Sequence, residues 1–404
     1  PLLPEIVGSG AALVDVDGDG DLDVYLVQSG WRLDGGAEAR DAALPNALFI
    51  NRGDGYFEAS DEGADRGYGM GVAAGDYDAD GDIDLYVTNV GANALLRNDG
   101  GGRFENVAAA AGVDDAGWGT AAAFADLDGD ADLDLFLVNY IEWSVAAERD
   151  CRLRGSPTYC APNTYGAPAQ DRVFRNDGDG SFTEMTRSAG LPRAFGNGLG
   201  IGVADFDVDG DIDVFVANDQ TVNQLWINEG QWRFSDRAAA LGVAVDDYGM
   251  AKAGMGVGTG DVDDDGDADL LVVNLGGETD SFFRNEGGYF VDSTTRLGIG
   301  AITRRYTRFG VALADFDNDG DLDLYEANGK VDANTNVAGV DAFAEPNVLF
   351  EGSGQGSDYR LSEAPEGSLP PSLMHTSRGV AVGDVDGDGG LDILVANRDA
   401  APYL

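Results

Sequence analysis

DVDGDGDLD, residues 15–23, sets aspartate on every second position of a nonapeptide. Five carboxylates this close repel one another and leave neither a helix nor a strand an apolar face to bury. The phrase returns as DYDADGDID (76–84), DLDGDADLD (126–134), DFDVDGDID (205–213), DVDDDGDAD (261–269), DFDNDGDLD (315–323) and DVDGDGGLD (384–392). The starts lie 61, 50, 79, 56, 54 and 69 residues apart, a spacing that marks an array or a propeller.

A hard cation accounts for the phrase. Calcium takes about six to eight oxygens from carboxylates and carbonyls. Positions 1, 3 and 5 (Asp15, Asp17, Asp19) offer side chains, Gly20 permits the turn, Asp21 offers its carbonyl and Asp23 closes the shell. The later copies assign Asp76, Asp78, Asp80, Asp82 and Asp84; Asp126, Asp128, Asp130, Asp132 and Asp134; and Asp205, Asp207, Asp209, Asp211 and Asp213. They continue with Asp261, Asp263, Asp265, Asp267 and Asp269; Asp315, Asp317, Asp319, Asp321 and Asp323; and Asp384, Asp386, Asp388, Gly390 and Asp392. Gly390 is harmless if position 7 binds through its carbonyl. Ala131 replaces the glycine of the third copy, so that loop is expected to be strained or weakly occupied. Up to seven Ca²⁺ ions are expected, one per repeat. Magnesium, which keeps its water, suits the set less well.

Apolar runs flank each loop: GAALV and DVYLVQ around the first, GIGVA and DVFVAN around the fourth. They read as strands, so each loop is the tip of a hairpin. A second hairpin follows six of the seven, as in ALFINRGDGYFEAS (47–60) and RVFRNDGDGSFTEM (172–185). The fold expected is all-β, a seven-bladed β-propeller of four-stranded antiparallel blades. One domain, 1–404, is expected, with calcium hairpins near 10–28, 71–89, 121–139, 200–218, 256–274, 310–328 and 379–397. The small residues of each first strand suit a crowded axis. DAAPYL follows the last hairpin where a third strand should begin. The expectation is an open last blade or a natural chain that continues, and a trimmed or mature start at Pro1.

The chain carries 73 acidic and 25 basic residues, net −48, which argues against nucleic-acid or anionic-membrane binding. No apolar run is long enough to span a bilayer. Cys151 and Cys160, the only two cysteines, sit in RDCRLRGSPTYCAPNTYG and read as a disulfide stapling a long loop. That suits a secreted, periplasmic or cell-surface protein, expected to be a monomer.

In a four-stranded meander the calcium loops share one face with the second hairpin turns. The scarce cations fall toward the other: Arg66, Lys252, Arg304, Arg305, Arg308, His375, Arg378, Lys330, Arg398, Arg149, Arg152 and Arg154. Trp31, Tyr68, Trp118, Trp143, Tyr248 and Tyr306 join them. This basic, aromatic face is a candidate site for a protein, a glycan or an anionic, partly apolar small molecule, with RRYTR (304–308) its densest cluster. The alternative is that these arginines pair with neighbouring acids such as Asp65, Asp247 and Asp332. Replacing Arg304 and Arg308 together is expected to abolish function without touching the melt. No nucleophile elbow, P-loop or zinc-protease motif is written. Acid–base work could still come from His375, Tyr306, Asp219 or Glu278, as in a cofactor-independent cyclase, lyase or isomerase. A deep pocket lined by Arg304, Arg308, His375 and the tryptophans would favour that enzyme; a shallow face would favour a binding module.

The repeats resemble FG-GAP/VCBS repeats. LPEIVGSGAALVDVDGDGDLD, YCAPNTYG (159–166), VANDQTVNQLWINEG (216–230), YGMAKAGMGVGTGD (248–261) and NLGGETDSFFRNEGG (274–288) resemble the cartilage acidic protein and ASPIC/UnbV group. The resemblance implies a secreted or surface propeller with calcium in each blade. Animal members are linked to cell–matrix adhesion, and some bacterial relatives sit in natural-product gene clusters, the source of the enzyme alternative.

Overall fold

The computed structural model describes residues 1–30, 33–35, 44–53, 55–191, 193–332, 341–354, 356–364, 369 and 374–404. Trp31 lies outside the described residues.

Alternating apolar residues bracket each acidic loop, and these brackets pair as antiparallel strands. Blade 1 is built from Ala11–Val14, Asp23–Leu26, Ala47–Asn51 and Phe57–Ser60. Blade 2 follows with Gly69–Gly75, Asp84–Asn89, Ala94–Asn98 and Phe104–Asn106, and blade 3 with Gly119–Ala125, Asp134–Asn139, Arg172–Asn176 and Phe182–Glu184. Blade 4 holds Gly198–Ala204, Asp213–Asn218, Gln224–Asn228 and Phe234–Asp236. Blade 5 holds Gly254–Gly260, Asp269–Asn274, Ser281–Asn285 and Phe290–Asp292, and blade 6 Arg308–Ala314, Asp323–Asn328, Val348–Ser353 and Arg360–Glu363. The architecture is an all-β propeller.

Among the described residues there are six four-stranded blades, not seven. The hairpin of the seventh acidic loop, Ser377–Gly383 with Asp392–Asn397, is a two-stranded sheet. Its outer strand gains one bridge, from Val395 to Tyr403, in place of a full third strand. It still fills its place in the ring. A Cβ on Gly379 would stand 2.5 Å from the Ser9 carbonyl oxygen, which sets this hairpin against blade 1. The first strands crowd at the axis as their small residues suggested: a Cβ on Gly200 would meet the Met255 carbonyl oxygen at 2.0 Å.

The core is divided among the seams between blades. Phe206, Phe215, Leu225, Leu270 and Phe283 fill the seam of blades 4 and 5; Leu127, Phe136, Val214, Trp226, Trp232 and Phe234 fill that of blades 3 and 4. The asparagine closing the third strand adds a polar latch across five seams. Asn51 Nδ2 donates to the Val385 carbonyl (2.7 Å), Asn98 to Val16 (2.7 Å), Asn176 to Tyr77 (2.7 Å), Asn228 to Leu127 (2.8 Å) and Asn285 to Phe206 (2.9 Å). Each acceptor is the second residue of the preceding unit's acidic loop. The same side chains also serve the hairpin turn: Asn228 Oδ1 accepts the Gly230 N–H at 3.1 Å. Asn228→Ala would strand the Leu127 carbonyl in a dry seam. A loss of roughly 2–3 kcal/mol in urea unfolding is expected.

Candidate functional site

Each acidic loop is folded by its own carboxylates. Asp15 Oδ1 accepts the Gly18 and Asp19 N–H groups (2.8 and 3.2 Å), and Oδ2 accepts that of Gly20 (3.0 Å). Asp19 Oδ1 accepts the Asp21 N–H at 3.0 Å. Asp23 is fully buried and ties the loop to the third strand, accepting from Val16 N (2.9 Å) and Asn51 N (2.7 Å). Burial pushes the carboxyls at this ninth position up, Asp23 to about 6 and Asp84, Asp134, Asp213 and Asp269 to about 7, against the pull of the backbone N–H groups they accept from. The third loop keeps this shape around Ala131, whose φ is 75° and whose N–H reaches Asp126 Oδ2 at 3.0 Å. A left-handed alanine costs about 1 kcal/mol, but the third loop is not singled out by it, since Ala79, Val208, Asp264 and Asn318 are also left-handed in the second, fourth, fifth and sixth loops.

Position 3 stands apart. The Oδ1 atoms of Asp17, Asp78, Asp207 and Asp263 are buried and receive no hydrogen bond. Buried acceptors are almost always satisfied, so four orphans at one repeated position point to a missing partner. Asp15, Asp17 and Asp19 each bring an oxygen to within 4.8 Å of the others. So do Asp76, Asp78 and Asp84; Asp126, Asp128 and Asp134; Asp205, Asp207 and Asp213; and Asp261, Asp263 and Asp265. Two oxygens about 2.4 Å from one ion can be no more than about 4.8 Å apart. All-oxygen donors, this spacing and the orphaned atoms fit calcium. Position 7 turns its carboxylate outward, as where Asp267 Oδ2 accepts the Gly287 N–H at 2.7 Å. Asp317 of the sixth loop is exposed, where the seventh unit offers no second hairpin to cover it.

The cations predicted to line the opposite face are mostly committed elsewhere. Arg308 is wholly buried: Nε pairs with Asp280 Oδ1 at 2.6 Å, and its other nitrogens donate to the Tyr306 and Glu278 carbonyls. Arg378 is buried over the Phe309 ring and donates to the carbonyls of Ile6, Gly329 and Lys330; burial lowers its pKa to about 9. Lys252 donates to Thr279 Oγ1, Asp280 O and Ser281 Oγ. Trp118 is buried edge-on against Tyr140 and Trp143. Folding thus spends Arg308, Arg378, Lys252 and Trp118 on seams and loop carbonyls, and the basic cluster splits. Arg304 stays exposed, while Arg305 pairs with Glu363 (2.5 Å) and sits over Tyr306. Lys330 lies 3.7 Å from Glu345.

The four acid–base candidates do not form one constellation. His375 bridges Glu345 through its backbone beside Tyr403. Tyr306 packs in the seam of blades 5 and 6. Glu278 Oε2 accepts the Ala253 N–H at 2.9 Å. Asp219 accepts the Tyr140 hydroxyl at 2.6 Å, and burial raises its pKa to about 6, with Glu278 adding to the rise.

Sequence reasoning missed what packs beside the axis. The short helix Pro4–Val7 drops Leu3 and Ile6 into an apolar cluster with Tyr68, Met70, Trp118, Tyr140 and Ile141. Glu148, from the long loop, accepts the Leu3 N–H and the Trp143 indole N–H and binds the Tyr165 hydroxyl. That loop is stapled as expected, by the Cys151–Cys160 disulfide. Beneath lies a cavity of about 170 Å³ lined by Ile6, Tyr140, Leu199, Asp219, Met255 and Phe309. No helix of the described residues is long and apolar enough to cross a membrane.

The family model for the FG-GAP-like repeat matches residues 15–87, 76–137, 159–216, 205–272 and 261–326. Cartilage acidic protein 1 of Xenopus tropicalis is 25% identical over 373 residues, covering 85% of this chain and 50% of that protein. The Homo sapiens protein of that name is 24% identical over 373 residues, covering 85% and 49%. The chain thus spans about half the length of the curated relatives it matches. Virginiamycin B lyase from Staphylococcus aureus shares the fold at a TM-score of 0.51 and 12% identity, over 98% of this chain and 94% of that one.

Proposed function

This chain belongs to the FG-GAP-like repeat family, and from that premise we propose that it is a calcium-clamped propeller that works outside the cell, or at its surface, as a recognition module. In each loop the carboxylates at positions 1, 3, 5 and 9 and the carbonyl at position 7 would hold the ion. Calcium supplies the counter-charge that packed carboxylates need; the chain's own N–H groups orient those carboxylates. The Cys151–Cys160 disulfide and the affinity of such loops, about 10⁻⁴–10⁻³ M in extracellular modules, suit an oxidising, calcium-rich setting.

Recognition is favoured over catalysis by one observation, the lining of the cavity beside the Pro4–Val7 helix. Leu3 and Ile6 pack into the apolar cluster and line that cavity, and among the described residues neither Arg304, Arg308, His375 nor a tryptophan does. The surface left for contact is the ring of loops around the mouth, with Arg304, Arg305, Lys330 and the Arg149, Arg152 and Arg154 of the stapled loop. It would take a protein, a glycan or an anionic small molecule. Calcium-loaded chain applied to an array of acidic glycans and peptides should give discrete capture. Arg154→Ala with Arg304→Ala should weaken it roughly fivefold to tenfold with the melt unchanged. A blank array together with turnover of a small molecule would move the reading to the enzyme.

A further inference from the structure

Two of the position-3 carboxylates divide their two oxygens in the same way. Arg52 Nη1 lies 3.7 Å from Asp17 Oδ2, and Arg284 Nη1 lies 3.2 Å from Asp263 Oδ2. In both, Oδ1 is the orphan. One oxygen faces an outer donor, and the other is left for the ion. In the third loop the donor differs, and Asp128 Oδ1 is not among the buried oxygens left without a partner. Arg175, at the place equivalent to Arg284, turns to Asp177 at 2.6 Å. Asp128 Oδ2 instead accepts the Trp232 indole N–H at 2.6 Å. Trp232 belongs to the second hairpin turn of blade 4, not to blade 3.

The turn is shaped for this contact. Gln231 and Trp232 both hold left-handed backbone, φ 54° and 58°, where equivalent turns use glycine, as at Gly101 and Gly102 of blade 2. Two such residues cost about 1–2 kcal/mol each, so the surrounding structure must compel them. The indole is 9% exposed, wedged in the seam with Trp226, Phe234 and Leu127. An oxygen of Asp128 lies within 4.8 Å of oxygens on Asp126 and Asp134.

We propose that Trp232 is an outer-shell positioning residue of the third calcium loop, lent by the next blade, so that the ion there reinforces the seam between blades 3 and 4. The inference rests on the calcium reading above. A neutral donor orients Asp128 without placing a rival cation beside the ion. Because the indole touches a ligand carboxylate, its emission reports the charge there and so the occupancy of this loop alone.

The test is Trp232→Phe, which keeps the apolar wedge and removes the N–H. One calcium-binding step should weaken about tenfold by calorimetric titration, the low end for loss of an outer-shell partner. The calcium-dependent change in tryptophan emission should vanish in Trp232→Phe and in Asp128→Asn, and persist in Asp78→Asn. The melt of Trp232→Phe should fall further behind the parent with calcium than with chelator; an equal deficit in both would mean packing alone and overturn the inference. Unchanged affinity, or an emission change that survives the substitution, would overturn it also. If equilibrium dialysis finds no calcium on the parent chain, this inference and the calcium reading both fall. If calcium binds and Trp232→Phe titrates like the parent, only this inference falls.

Discussion

Stripping divalent ions with a chelator is expected to lower the melting temperature by on the order of 10 °C, and calcium, not sodium at matched ionic strength, should restore it. An ion that binds only the folded chain, at about ten times its Kd, adds about 1.4 kcal/mol per site, so seven sites approach about 10 kcal/mol. Whole-domain stabilities are about 5–15 kcal/mol. The metal term is therefore of the same size as the stability itself. Sodium screens the carboxylates but cannot bridge oxygens held within 4.8 Å in one loop. The pH dependence of the chelated chain gives a second signature. Asp84, Asp134, Asp213 and Asp269 have folded values near 7 against an ordinary 3.8, because burial penalises the charged form. A raised folded value means stability fully present below about 4 and lost as pH rises through about 7. The chelated chain should thus melt higher at pH 5 than at pH 8. The loaded chain should do the reverse, since protons compete with the ion. A melt indifferent to chelator would remove calcium from the fold.

The repeated nonapeptide made most of this legible in advance, because its chemistry is local. Carboxylates on alternate positions and a turn glycine need only nine residues to declare themselves, and the apolar flanks need only period two. Small first strands likewise announced the axis, where Gly200 lies against a neighbouring backbone. What stayed hidden depends on contacts across blades. Asn228 reads as a turn residue until Leu127, 101 positions away, is seen to need its amide. Trp232 reads as a hydrophobic until Asp128 lies under it. The helix Pro4–Val7 is too short to read as a plug, and nothing local says that Glu148 will hold Leu3. Burial also reassigns charge. In a chain this acidic, an arginine near the sequence of a loop is as apt to be drawn into a seam as left for a ligand.

Arg308 is where that reassignment has its largest effect. Sequence alone pairs it with Arg304 as one exposed cluster, so that losing both would silence function and spare the fold. The structure separates them. Arg304 is exposed, and Arg304→Ala should change stability by no more than about 0.5 kcal/mol. Arg308 is buried against Asp280, with two further nitrogens on carbonyls, and Glu326 lies buried beside the pair. Burial and the neighbouring Asp280 push the Glu326 carboxyl well above the usual range, and the Arg308 guanidinium pulls it the other way. Arg308→Met fills similar volume but leaves Asp280 without a counter-ion, which should cost about 3–5 kcal/mol. Arg308→Lys should not rescue it, because an ammonium cannot serve the carboxylate and two separate carbonyls in one planar fork. Urea unfolding of the two single variants separates the cases: a large fall for Arg308→Met and none for Arg304→Ala. Equal, small effects would return Arg308 to the surface. With the expected result, Arg304 is the one of the two that remains a fair probe of ligand binding, since any loss of function on removing Arg308 would be a loss of the seam between blades 5 and 6.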